Sequence, residues 1–153
     1  MVTPLLSRYF EELRVGDRQV TRGRTLTETD VVQWCMFSGD WFPLHSDKTV
    51  AERSMFGQRI VPGLMVQAIA AGLVVPAETT SLIAEYGMDR LRFPAPTFIN
   101  DTIHVELEVI ELAERETGGL AHIEWRILNQ NNTLVCTCIN LALFAKASPS
   151  GDE

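Results

Sequence analysis

The second half of the chain has the hydrophobic period of β-strands. Apolar and polar residues alternate along 103–109 and again along 121–127, which predicts strands with one buried and one solvated face. The stretch 134–145 is apolar at nearly every position and predicts an inner strand that is covered on both faces. Residues 85–93 predict another strand, which the two prolines that follow either end or place at a sheet edge.

The first half predicts one strand and then helices. Residues 19–26 carry the β-branched side chains of a strand. Thr27 is followed three residues later by Asp30, a helix-start pattern in which each side chain bonds the other's backbone N–H. That helix is expected to end near Ser38-Gly39, because glycine accepts the left-handed conformation common at helix C-termini.

Shorter signals complete the predicted element order. Asp47 is a candidate N-cap for a short helix over 48–53. The pair Gly118-Gly119 predicts a turn, and residues 129–132 predict a hairpin turn.

The most apolar run of the chain predicts a buried central helix. Gln67 is the single polar residue between Gly63 and Val75, and Pro62 suits the first turn of a helix. A helix that is apolar on all sides is expected to be wrapped on all sides. The run contains prolines and is too short for a membrane span, which needs roughly 20 apolar residues.

These elements predict an α+β fold in which an antiparallel sheet wraps around one long central helix. The chain has 153 residues, which predicts one domain over 1–147 and a disordered tail over 148–153. A net charge of −7 argues against nucleic acid as a partner. The three cysteines have no redox or zinc spacing and predict buried, reduced thiols. With no secretory signal or membrane span in view, we expect a soluble cytoplasmic protein.

One stretch concentrates groups that can carry chemistry. Asp40 and His45 lie five residues apart, with Pro43 between them to stiffen the connection. Gly63 follows eighteen residues after His45, at the start of the central helix, where backbone N–H groups are free. An acid and an imidazole that share one water can move two protons, and a free N–H can stabilise an oxyanion. We therefore predict one active site formed by Asp40, His45 and Gly63.

The stretch from Phe37 to Asp47 resembles the signature of MaoC-like (R)-specific enoyl-CoA hydratases and dehydratases, including the interval from His45 to Gly63. The resemblance covers about residues 10–144. It implies a hotdog fold, usually dimeric, in which Asp40 and His45 form the catalytic pair. Gly63 would donate its N–H to the thioester oxygen of the substrate. No resident cofactor is implied, since coenzyme A is part of the substrate.

Three positions depart from the hydratase pattern. Phe42 and Pro62 replace an asparagine and a histidine that are common there, and Ala71 stands where some hydratases carry serine. Two alternatives therefore stay open: a hotdog acyl-CoA thioesterase, and a non-catalytic subunit that binds acyl-CoA. Release of free thiol would identify the thioesterase, and binding without turnover would identify the subunit.

Other residues are candidates for substrate contact. Arginine suits phosphate, so Arg59, Arg90 and Arg92 are candidates for the phosphates of coenzyme A, with the two strand arginines expected on one face. Trp41 and Phe42 are expected to line either the acyl pocket or a dimer interface, and Pro62 borders the site. The expected partners are an acyl-CoA substrate and a second copy of the chain, because a single curled sheet leaves an edge strand to pair. We expect no metal at His104 or His122, which alternate with charged residues.

Overall fold

The computed structural model describes residues 3–78, 81–116 and 118–147. Its helices and strands follow one another in the order β1, β2, α1–α4 and β3–β6, after two short 3-10 turns at Leu5–Ser7 and Phe10–Glu12. Their bounds are β1 Arg18–Val20, β2 Arg24–Thr25, α1 Glu28–Ser38, α2 Pro43–Ser46, α3 Lys48–Glu52, α4 Gly63–Val74, β3 Leu82–Arg92, β4 Thr102–Arg115, β5 Gly118–Leu128 and β6 Leu134–Ala145. The predicted tail over 148–153 lies outside the described residues.

The strands form one antiparallel sheet in the order β1-β4-β5-β6-β3, with β2 also paired to β4. The predicted inner strand is confirmed, because β6 lies between β5 and β3. The prediction of an edge strand is confirmed as well, since β3 closes the sheet at the end opposite β1. Along β4 burial alternates residue by residue over 102–109, as the sequence pattern predicts.

The helix α4 packs on the inner face of this sheet and gives the domain its core. Met65, Val66, Ala70 and Val74 are buried and belong to one cluster with the inward side chains of β4, β5 and β6. The predicted α+β architecture, a curved sheet around a central helix, is therefore confirmed. None of the helices in the described part of the chain combines the length and apolarity that a membrane crossing requires.

The sequence predicted a central helix wrapped on all sides. Within one chain this is wrong, because one side of the helix is exposed. A stripe of α4 at Leu64, Ala68 and Gly72 is exposed, Val75 just after the helix continues it, and Leu64 retains 60% of its surface. The buried stripe is sufficient to hold the helix on the sheet, so the apolar residues on the other stripe are available for a further contact.

Two other predictions are wrong in detail. The single strand over 19–26 is two short strands, β1 and β2, that pair with different parts of β4. Gly118 and Gly119 do not form the turn but begin β5. A Cβ atom on Gly119 would lie 2.1 Å from the Phe10 ring, so this glycine gives the ring room to pack on the strand.

The helix signals are confirmed closely. Thr27 caps α1: its Oγ1 accepts the N–H of Asp30 at 3.2 Å, and Asp30 Oδ2 accepts the N–H of Thr27 at 2.8 Å. The helix ends at Gly39, which adopts φ 77°. Asp47 caps α3, and its Oδ1 accepts the N–H groups of Thr49 and Val50.

The cap at Thr27 allows a stability test. Thr27→Ala removes the acceptor for the Asp30 N–H and should lower the free energy of unfolding by about 1 kcal/mol, measured by chemical denaturation. Thr29→Ala, two residues further on and without a role in the cap, should change it by less than about 0.5 kcal/mol. Equal losses in the two variants would show that the cap contributes nothing of its own.

Candidate active site

Asp40 and His45 face each other across a short gap. Asp40 Oδ2 lies 3.9 Å from His45 Nε2, and the carboxylate side chain is 44% exposed whereas the imidazole is 11% exposed. This separation is too long for a direct hydrogen bond but suits a water that bridges the two groups. The predicted pairing of these two side chains is therefore present in the fold.

The local sequence sets the position of Asp40. The carboxylate follows Gly39, where α1 ends, and Phe42 donates its backbone N–H to Asp40 Oδ1 at 3.4 Å. The Asp40 N–H bonds Ser38 Oγ at 3.1 Å. With Oδ1 turned to the backbone, Oδ2 is the oxygen that faces the histidine.

His45 lies on the short helix α2. Pro43 begins this single helical turn, because its fixed φ suits the first helical position, while Phe42 stays extended at φ −53° and ψ 134°. The ring of Phe42 packs edge-on against the imidazole, with 5.8 Å between the ring centroids. Phe42 therefore contacts the predicted catalytic histidine directly.

The tautomer of His45 follows from its other nitrogen. His45 Nδ1 lies 2.8 Å from the carbonyl oxygen of Ile60, and since a carbonyl only accepts, Nδ1 carries the proton. In the neutral imidazole Nε2 is then an unprotonated acceptor, and this is the nitrogen that faces Asp40. No side-chain pattern indicates Ile60, because its contribution comes from the backbone.

Gly63 and His45 share one cavity of about 400 Å³. Gly63 is the first residue of α4, after Pro62 at the cap, so its N–H has no partner within the helix. The side chains and backbone that complete the wall come from three segments: Met55, Phe56, Ile60, Val61; Phe93, Pro94, Ala95, Pro96, Thr97; and Val135. Asp40 lies beside this cavity at the histidine and does not line it.

The second of these segments was not predicted as part of the site. The N–H of Val61 bonds the carbonyl oxygen of Thr97 at 2.8 Å, and Ile60 forms a bridge with Phe98. These contacts bring the stretch after β3 to the start of α4. A Cβ atom on Gly63 would lie 3.0 Å from the ring of Phe93, so a larger residue here would crowd this ring.

The candidate phosphate contacts are spread over two regions. Arg59 forms a bidentate ion pair with Glu28, in which Nη1 lies 2.8 Å from Oε1. Arg90 and Arg92 are exposed on β3, where the pairing with β6 is irregular and Arg90 adopts φ 53°. That irregularity breaks the strict alternation from which a shared face was predicted. Arg92 precedes Phe93 and is thus the nearer of the two in sequence to the cavity wall.

The remaining candidates have different surroundings. Trp41 is exposed, and its carbonyl oxygen accepts the hydroxyl of Ser46 at 2.9 Å. Burial raises the pKa of the Cys35 thiol, and the Asp40 carboxylate raises it further, so this thiol is neutral beside the site. No group of three His, Cys, Asp or Glu side chains among the described residues is arranged to hold a metal ion.

Comparison with known proteins places this site in a family. The profile of the MaoC like domain matches residues 12–124, the span that contains Asp40, His45 and Gly63. The chain belongs to the MaoC-like domain family.

Relatives of this MaoC-like chain have several names. Protein MaoC of Klebsiella aerogenes is 48% identical over 100 residues, which are 65% of this chain and 30% of that protein. A 3-hydroxybutyryl-CoA dehydratase of Methylorubrum extorquens is 36% identical over 79% of this chain and 76% of its own length. An (R)-specific enoyl-CoA hydratase of Aeromonas caviae is 27% identical over 83% of this chain and 92% of its own length. The chain thus spans less than a third of the Klebsiella protein.

Solved structures support the fold. An Archaeoglobus protein described as a monoamine oxidase regulatory protein superposes with a TM-score of 0.86, at 34% identity, over 94% of this chain and 99% of its own. A Mycobacterium tuberculosis protein described as a double hotdog fold superposes with a TM-score of 0.83, at 21% identity, over 99% of this chain and 48% of its own. The MaoC-like chain therefore has the hotdog fold.

The contact between Gly63 and Phe93 can be tested by a double-mutant cycle. Gly63→Ala should lower the free energy of unfolding more in the wild type than in a Phe93→Ala background, with a difference of about 1 kcal/mol, because the added methyl meets the ring only in the former.

A Gly63→Ala effect that is the same in both backgrounds would rule out steric contact with Phe93.

Proposed function

We propose that this MaoC-like chain adds water to the double bond of enoyl-CoA thioesters and removes it from 3-hydroxyacyl-CoA thioesters, with the (R)-configuration at the hydroxyl. The observation that carries the proposal is the pair of Asp40 Oδ2 and His45 Nε2, 3.9 Å apart, because His45 lines a cavity that Gly63, the first residue of α4, also lines. The names of two relatives, a 3-hydroxybutyryl-CoA dehydratase and an (R)-specific enoyl-CoA hydratase, support it.

In the proposed reaction the water lies between the two side chains. His45 accepts one of its protons at Nε2, which is unprotonated because Nδ1 donates to Ile60. The hydroxide oxygen bonds the β-carbon, and the electron pair of the double bond moves towards the thioester oxygen. The proton on Nε2 then passes to the α-carbon, which returns the imidazole to its starting state. Asp40 orients the water and stabilises the transient imidazolium.

The N-terminus of α4 stabilises the negative charge that forms on the thioester oxygen. The N–H of Gly63 is unpaired within the helix, and the helix dipole adds positive potential at this end. Loss of one such donor in other enzymes costs about 2.7–4 kcal/mol of transition-state stabilisation. The reaction uses no cofactor beyond the coenzyme A of its substrate, whose phosphates we assign to the arginines at 90 and 92.

Single substitutions in the pair test the proposal. Asp40→Asn and His45→Gln should each lower kcat for hydration of crotonyl-CoA by about 10²–10⁴-fold, measured as loss of the conjugated thioester absorbance. Circular dichroism should show an unchanged fold. His122→Gln, a histidine substitution on β5 remote from the cavity, should leave the rate unchanged. Chromatography of the product against both enantiomers tests the (R)-configuration.

The assay also separates the competing activities. Wild-type rates in Asp40→Asn or His45→Gln would contradict the proposed site. Release of free thiol from crotonyl-CoA would instead identify a thioesterase. Binding of several enoyl-CoA thioesters without consumption of any would identify a subunit that binds but does not react.

We also propose that the chain forms a homodimer through β3 and α4, and that it works in the cytoplasm. The edge strand β3 exposes Ile83 and Tyr86, the latter with 67% of its surface. The exposed stripe of α4 at Leu64 and Val75 adds further apolar surface. An open strand edge beside apolar side chains favours pairing with another copy of the same edge. Free, buried cysteines are consistent with a reducing compartment.

The dimer predicts a particle of about 34 kDa, twice the 17.1 kDa of the chain, in light scattering. Tyr86→Lys places a charge at the centre of the proposed interface and should shift the particle towards the mass of one chain. Ile110→Lys, on β4 and away from β3, should leave the mass unchanged. A wild-type particle with the mass of one chain would contradict the proposal.

A further inference from the structure

Thr97 is a buried threonine in the wall of the cavity that contains His45. The residue is 4% exposed and comes between β3 and β4 in the chain. Among the described residues that line this cavity, His45 and Thr97 are the two with strongly polar side chains, and the other side chains are apolar. A hydroxyl in an apolar wall is costly unless it meets a partner, which favours a ligand that brings a polar atom to it.

The hydroxyl of Thr97 is accessible and has no partner within the described part of the chain. The hydrogen bond that Thr97 does form uses its carbonyl oxygen, which accepts the N–H of Val61 at 2.8 Å. Its Oγ1 is not one of the sealed, unpaired side-chain atoms of the described residues, which belong to Trp34, Gln67 and Trp125. An oxygen that is neither bonded nor sealed opens to the space that its residue lines, which is the His45 cavity.

Thr97 borders the same part of the cavity as Gly63. Its carbonyl oxygen bonds the N–H of Val61, which comes two residues before Gly63. Since consecutive Cα atoms are about 3.8 Å apart, Gly63 Cα lies within about 8 Å of Val61 Cα. The ring of Phe93, four residues before Thr97, lies 3.0 Å from the position of a Cβ atom on Gly63. Both ends of the segment 93–97 therefore lie against the start of α4 and the two residues before it.

The backbone that carries the hydroxyl is held in place from both sides. Pro96 restricts the chain directly before Thr97, because its ring fixes its φ. Directly after Thr97, Phe98 forms a bridge with Ile60 and donates its N–H to Asp101 Oδ2 at 2.8 Å. A donor on such a fixed backbone needs little reorganisation when charge develops on a ligand oxygen.

We propose that Thr97 is a catalytic residue whose hydroxyl donates to the thioester oxygen of the substrate, beside the N–H of Gly63. The reacting part of an enoyl thioester has one strong hydrogen-bond acceptor, its carbonyl oxygen, because the acyl chain is hydrocarbon. Nε2 of His45 is turned to the water, so the Thr97 hydroxyl is the side-chain donor left for this oxygen. Two donors stabilise the enolate-like charge more than one N–H alone. The inference rests on the proposed function, because it assigns the thioester to this cavity.

Removal of the hydroxyl at constant shape tests this role. Thr97→Val should lower kcat for hydration of crotonyl-CoA by about 10²-fold with KM little changed, because the lost bond strengthens as charge develops in the transition state. Thr97→Ser keeps the hydroxyl and should keep a rate close to that of the wild type. Thr29→Val, the same exchange at an exposed position of α1, should leave the rate unchanged.

Infrared spectroscopy of a bound, unreactive thioester separates this proposal from the proposed reaction. The probe is butanoyl-CoA with an isotopic label at its thioester carbonyl. Its C=O stretching frequency should be lower on the wild type and on Thr97→Ser than on Thr97→Val, because each hydrogen bond to the oxygen weakens the double bond. That result supports the contact even if no enoyl thioester is hydrated, in which case only the proposed reaction fails.

Four outcomes would overturn the proposal: a wild-type rate in Thr97→Val, equal losses of rate in Thr97→Val and Thr97→Ser, the same carbonyl frequency on the wild type and on Thr97→Val, or no binding of butanoyl-CoA by the wild type. Thermal unfolding checks that each variant is folded. Should Thr97→Val not fold, Thr97→Ala removes the same hydroxyl and replaces it in both experiments.

Discussion

The packing of α4 against the inner face of the sheet is the constraint on which the rest of the structure depends. This contact buries one stripe of the helix, fixes the position of its first residue and thereby sets where a free N–H group can meet a ligand. The segments that complete the site reach it through backbone bonds, from Val61 to Thr97 and from His45 to the carbonyl of Ile60. The candidate site is thus held by main-chain contacts around a helix end, and few of its groups are side chains.

Much of this arrangement could be predicted from the sequence because it depends on local chemistry. Three local features determine the positions of Asp40 and His45: the cap at Thr27, the left-handed Gly39 and the stiff Phe42-Pro43 pair. Each acts within a few residues. The alternation along β4 and the apolar run of β6 report on burial directly. Family resemblance added the roles of these residues, which spacing alone does not give.

The failures come from contacts between distant parts of the chain. Gly118 and Gly119 have the composition of a turn, yet they lie in a strand that pairs with β4 and β6. A side chain on Gly119 would meet the ring of Phe10, more than 100 residues earlier, and one on Gly118 would meet the backbone of Phe144. The contact of Phe93 with Gly63 also joins distant segments, so local patterns do not predict it. The carbonyl of Ile60 that bonds His45 is a backbone group, and side-chain patterns do not indicate it. The apolar run of α4 predicted full burial, but the period of a sequence cannot tell whether the cover comes from the same chain or from another.

The burial of all three cysteines has a practical consequence for work on this protein. Cys35 lies in α1, whereas Cys136 and Cys138 lie in β6, and each is at most 1% exposed. A colorimetric thiol reagent added to the folded protein should therefore detect coenzyme A released by hydrolysis without a background from the protein itself. Under mild denaturant, the rate at which the same reagent labels the cysteines measures how often their surroundings unfold locally. Mass spectrometry of the labelled chain would then show whether α1, which contains Cys35, or β6, which contains Cys136 and Cys138, unfolds first.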